Sequence, residues 1–90
     1  MNMKEKEIER SLKALANRRR LSIVRYVKKE NKSNVSNIAS EIKLSFAATS
    51  RHLNLLAAAD ILDREQRGLE MLYSISLDLP EPARRIILLL

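Results

Sequence analysis

Two short apolar stripes of helical spacing, separated only by Lys43-Leu44, constrain this chain more than any other feature. Ser36 precedes the first stripe, which runs to about Ile42 and turns Ile38, Ala39 and Ile42 to one side. Ser45 precedes the second, which runs to about Ala59 and places Thr49, Leu53 and Leu56 at i, i+4 and i+7. A serine just before such a stripe is a helix N-cap signal, because its hydroxyl accepts one of the unpaired N–H groups of the first turn. Two capped helices joined by so short a turn form a helix-turn-helix unit. The second helix has a continuous opposite face made of Phe46, Ala47, Ser50, Arg51 and Asn54. Lys43-Leu44 makes the tight turn between the two helices.

The flanking segments complete the pattern. Ile8, Leu12 and Leu15 form a stripe within a helix predicted over residues 4–16. Asn17 is a cap for a second helix over about Arg18–Lys29, with Leu21, Val24 and Val27 inward and Ile23 and Tyr26 widening that side. Asn31-Lys32-Ser33-Asn34 is a polar breaker. Beyond Asp60 the period changes to alternation. Ile61–Gln66 and Leu69–Ile75 flank Arg67-Gly68 and predict a β-hairpin, with Gly68 supplying the positive φ of the turn. Pro80 and Pro82 introduce a last helix over about Ala83–Leu90. The predicted fold is a single domain, residues 1–90, mainly α with a small β-hairpin. Its order is helix, helix, helix, helix, strand, strand, helix, and the hairpin forms a wing beside the helix-turn-helix.

Charge and composition narrow the function. The chain carries a net charge of +6, all of it in the first thirty residues, which hold ten Lys/Arg and four Glu. That balance favours a polyanionic partner, although a merely solvated basic face gives the same count. The absence of Cys excludes disulfides, thiolate metal sites and thiol redox sensing. No apolar run approaches the roughly 20 residues needed to span a bilayer, so no membrane role is expected. The N-terminus alternates Lys and Glu without the apolar stretch of a signal peptide, which predicts a cytoplasmic location. His52 is the only histidine, and zinc needs three or four ligands, so no metal is expected and His52 reads as a structural or phosphate-contacting residue. One His and scattered carboxylates give no nucleophile, base and orienting group, so neither an enzyme nor a cofactor is expected.

Four strings in order resemble the ArsR/SmtB family of winged helix-turn-helix transcriptional regulators, covering roughly residues 11–76. Leu12-Lys13-Ala14-Leu15-Ala16-Asn17-Arg18-Arg19-Arg20-Leu21 is similar to the family's opening "LKALADPTRL". Ile38 to Ser45 matches the first motif helix and Thr49-Ser50-Arg51-His52-Leu53-Asn54-Leu55-Leu56 matches "VSRHLKVL". Asp60-Ile61-Leu62, Arg67-Gly68 and Tyr73-Ser74-Ile75 match the wing. Lys43 departs from the family's usual Gly, and the resemblance implies a left-handed backbone there at a cost of about 1 kcal/mol. The cysteines and Asp/His pairs of metal-sensing members are absent, so the resemblance implies the DNA-binding scaffold without the usual metal switch.

The resemblance implies double-stranded DNA as the partner and assigns base reading to Phe46, Ala47, Ser50 and Arg51. Arg51 suits guanine O6 and N7, while Phe46 and Ala47 suit thymine methyl groups. Phe46 can instead pack against the first motif helix. Backbone contact is expected from Ser36, Lys43, Ser45, His52, Asn54, Arg64 and Arg67, the two serines through helix-start amides that hold phosphates. Arg20 is expected in an internal pair. The resemblance also implies a homodimer through the first and last helices, with Ile8, Leu12, Leu15, Ile86, Ile87, Leu89 and Leu90 in a self-complementary patch. Two recognition helices about 34 Å apart then predict a near-palindromic operator. The competing readings are a winged helix that docks a protein through its apolar tail, and a sequence-independent, chromatin-type DNA binder.

Overall fold

The computed structural model of the protein describes residues 3–90. Helix α1 spans Met3–Leu15, α2 Arg18–Glu30, α3 Val35–Ile42, α4 Phe46–Ala58 and α5 Glu81–Ile87. Strand β1 is Ser33–Asn34, β2 is Leu62–Arg67 and β3 is Glu70–Ile75, in an antiparallel sheet of order β1-β3-β2. The architecture is the expected winged helix-turn-helix with one addition. Ser33 and Asn34, within the polar breaker, pair with Tyr73 and Leu72 and tie the start of α3 to the wing.

The caps explain where the helices begin. Asn17 Oδ1 accepts from Arg20 N at 3.1 Å, and Ser45 Oγ accepts from Ala48 N at 3.1 Å. The cap of α3 is Asn34, whose Oδ1 accepts from Asn37 N at 2.8 Å. Ser36 is therefore an exposed residue of the first turn and not the cap, because the strand pairing at Asn34 sets the helix start two residues earlier.

Two helices end in the same way. Lys43 is left-handed (φ 57°, ψ 50°), with its N–H directed to Ser40 O at 3.3 Å and Leu44 N–H to Ala39 O at 3.0 Å. Asp60 (φ 61°) closes α4 likewise, its N–H reaching Ala57 O and Ile61 N–H reaching Leu56 O, both at 3.0 Å. These are Schellman closures, in which one left-handed residue lets two N–H groups satisfy the last carbonyls. At the wing tip β2 and β3 are joined by Gly68-Leu69, one residue further on than the expected Arg67-Gly68. Gly68 (φ 64°) is the one of the two with positive φ, as a type II′ turn requires.

Ile23, Val24, Val27, Ile38, Leu53, Leu56 and Ile61 are fully sealed and form the centre of the core. Tyr73 of β3 and Ala83 of α5 close it from the other side. Helices α1 and α5 pack on one another, and both of their apolar faces are split. Leu15 and Ile87, expected at a dimer surface, are 3% and 4% exposed and belong to the protomer's own core. Leu15 is drawn in where α1 turns into α2, and Ile87 where Lys28 Nζ holds its carbonyl at 3.1 Å. Helix α5 starts two residues earlier than expected, at Glu81, and its regular part stops at Ile87.

Candidate nucleic-acid interface

Helix α4 has two faces of opposite character. Its inner residues Thr49, Leu53 and Leu56 are completely buried, which fixes the rotation of the helix. Phe46, Ala47, Arg51 and Asn54 are exposed on the other side and Ser50 is half-exposed. Phe46 is 59% exposed, so it stands outward and is not buried under the first motif helix. Ser45, Lys43 and the N-terminus of α4 lie together at the turn, also exposed. The face expected to read bases is thus free of the chain's own cover and held by a rigid anchor.

His52 sits at the border of the two faces, half-buried. Arg20 NH1 lies 3.3 Å from its Nδ1, and a guanidinium can only donate, so Nδ1 accepts and the proton resides on Nε2. Burial, then the charges of Arg20, Arg51 and Arg19, lower the His52 pKa below its usual 6.5. Arg20 also donates from Nε to Ala14 O at 2.6 Å, the internal pairing expected of it. It fastens the end of α1 to α4 through the imidazole. Arg19 does a comparable task that the sequence did not announce: its NH1 donates to Ile42 O at 3.0 Å and closes the end of α3.

The wing differs from what the sequence suggested. Arg64 NH1 donates to Asn54 Oδ1 at 3.2 Å, so two residues expected to reach separately for phosphates are joined to each other and brace β2 against α4. Glu65 holds Lys32 at 3.0 Å and lies 3.5 Å from Arg67, and its carboxyl pKa falls below the usual range, chiefly through the Lys32 hydrogen bond. Arg67 therefore has a carboxylate beside it. Glu70 Oε1 accepts from Asn34 Nδ2 at 2.8 Å, which sets an anion by the start of α3.

Among the described residues, no group of three or more His, Asp or Glu side chains is gathered for a metal ion. Among them, too, no helix is long and apolar enough to cross a membrane.

A three-helix core with a recognition helix, an exposed outer face and an antiparallel wing defines a winged helix-turn-helix DNA-binding protein. Residues 17–64 match the family model described as bacterial regulatory protein, arsR family. The chain belongs to the ArsR family of transcriptional regulators. It is similar to the transcriptional repressor PagR of Bacillus anthracis, with 33% identity, 98% of each chain covered and a TM-score of 0.80. HlyU from Vibrio cholerae N16961 is 29% identical over 99% of this chain and 94% of its own, with a TM-score of 0.85. The homodimeric winged helix-turn-helix DNA-binding domain of Mb0332 from Mycobacterium bovis is 26% identical over 93% of this chain and 74% of its own, with a TM-score of 0.79. No curated protein matches the chain at a significant level.

Proposed function

We infer that this regulator represses transcription as a homodimer that reads a near-palindromic duplex operator, without a metal switch at the family's usual positions. The observation that carries this reading is helix α4. Its inner face is sealed at Thr49, Leu53 and Leu56, while Phe46, Ala47 and Arg51 stand clear of the protein. Arg51 reads guanine, Ser50 reaches a base edge or a phosphate, and Phe46 and Ala47 meet thymine methyl groups. Lys43, Ser45 and His52 Nε2 contact the sugar-phosphate backbone. Arg64 and Arg67 take part only after exchanging Asn54 and Glu65 for phosphate.

The dimer reading rests on apolar surface that the protomer leaves open. Ile8 and Leu12 on α1 are 36% and 51% exposed, and Leu89 beyond α5 is 85% exposed, with Ile86 and Leu90 half-covered beside them. A roughly 90-residue domain buries only about 60–65% of its unfolded surface, so pairing these faces adds stability a lone protomer lacks. The repressor PagR and the homodimeric Mb0332 domain support the same assignment.

The test is in-vitro selection of bound duplexes, followed by binding of the selected site and a random duplex. Arg51→Ala is expected to relax selectivity, and Lys43→Ala to weaken both duplexes alike. Equal affinity of the unsubstituted protein for selected and random DNA would overturn the reading in favour of a sequence-independent binder.

A further inference from the structure

A second basic surface lies outside the helix-turn-helix face. Between α2 and α3 runs an open groove of about 680 Å³, lined by Arg18, Arg25, Lys29 and Lys43, with Tyr26 at its wall and Glu41 as its one carboxylate. Arg18, Arg25 and Lys29 recur at i, i+7 and i+11, a single stripe along about 16 Å of helix. Among the described residues none of these four cations takes part in an ion pair, whereas Arg10, Lys32, Arg67, Arg84 and Arg85 all do.

The placement is unfavourable for the isolated fold. The first turn of α2 holds Arg18, Arg19 and Arg20 and no acidic residue, so positive charge crowds the positive end of the helix dipole. Arg19 is drawn off to the α3 carboxyl end, but Arg18 is left facing solvent. A chain that gives Lys32 and Arg67 a shared carboxylate in Glu65, yet sets four cations against the single Glu41 along this groove, is complementary there to an external polyanion. The groove is open and its cations run in a line along α2, which fits a strand better than an enclosed small molecule. It is also continuous with the turn: Lys43 lines it and is two residues from Ser45, the cap of the recognition helix.

We propose that the α2–α3 groove is a second phosphate-binding surface, which grips the DNA backbone flanking the segment read by α4. The proposal rests on the DNA-binding reading above and adds to it the strand flanking the operator. It predicts that part of the affinity, and none of the base selectivity, comes from α2.

The experiment measures Kd by fluorescence anisotropy across a NaCl series, on a selected operator with a full helical turn of flanking duplex at each side. Each phosphate contact contributes about 0.9 to the slope of log Kd against log salt. Arg25→Ala/Lys29→Ala, both exposed positions, is expected to flatten that slope by about 2 for each bound protomer while the operator-to-random ratio stays the same. Lys4→Ala/Lys6→Ala removes the same charge from α1 and is expected to leave the slope at the unsubstituted value. An unchanged slope in the Arg25/Lys29 variant overturns the proposal. So does tripolyphosphate that binds the groove tightly, read by amide shifts along α2, while the DNA slope of the variant is unaltered. Loss of operator selectivity in the unsubstituted protein is a different result, which defeats the operator reading and leaves the slope comparison standing.

Discussion

The recognition helix and the wing are neighbours in space, yet they treat their charges in opposite ways. Helix α4 is pinned by three fully buried side chains and presents Arg51 without an ion pair among the described residues. On the wing Lys32 and Arg67 share Glu65, and Arg64 is bonded to Asn54. The first region is arranged for a partner's negative charge. In the second, Lys32 and Arg67 share one carboxylate, and Arg64 is occupied in bracing the hairpin against the helix. A wing arginine read as a DNA contact from sequence is, in the free protein, already engaged.

Substitutions sharpen this contrast, and the largest effect is expected from the anchor of α4. Leu53→Ala should lower stability by about 2–5 kcal/mol in urea unfolding, because it opens a cavity in a sealed core. Met71→Ala on the half-buried side of the wing should cost clearly less. Equal losses would show that the wing and the helix are anchored alike. Arg51→Ala should change stability by no more than about 0.5 kcal/mol. It should reduce discrimination between operator and random duplex by about 1–3 kcal/mol, read as a ratio of dissociation constants.

Glu65→Gln reverses the closure of the wing. It frees Lys32 and Arg67 together, so overall DNA affinity should rise and the salt slope should steepen by up to about 2 for each bound protomer. If affinity falls instead, Glu65 holds the wing in a shape that DNA needs, and the electrostatic contrast between the two regions is wrong.

The smallest effect concerns His52. Its folded-state pKa lies below the unfolded 6.5, so the unfolded chain binds more protons in between. Stability from this group is present above pH 6.5 and is lost as pH falls toward the folded value. His52→Gln should flatten that part of the stability profile, and an NMR titration of the imidazole should give a midpoint under 6.5. A midpoint above 6.5 would mean that Arg20 does not meet the ring as the structure shows.

The fold was largely legible because its signals are local. Asn17 and Ser45 cap the helices they precede, Lys43 is left-handed at the turn, and Thr49, Leu53 and Leu56 are sealed where their spacing puts them. Features that depend on partners distant in sequence were not legible. Ser33-Asn34 is too short to show a strand period and becomes β1 only because Leu72 and Tyr73 lie alongside, which also moves the α3 cap from Ser36 to Asn34. The Arg64–Asn54 bond and the Arg19 closure of α3 span 10 and 23 residues. Leu15 and Ile87 share an apolar character with Ile8 and Leu89, and only the packing of α1 on α5 decides which go inside. The exposed face of α4 needed no long-range information, since it is the complement of the buried stripe on one helix.

The central claim is that Arg51 meets a guanine edge in the major groove, and methylation interference on the selected operator tests it most directly. Methyl groups on guanine N7 should block binding of the unsubstituted protein at one or more guanines in each half-site. With Arg51→Ala at least one of those positions should cease to interfere. Interference confined to adenine N3 in the minor groove, with a pattern that Arg51→Ala leaves as it was, would contradict the account.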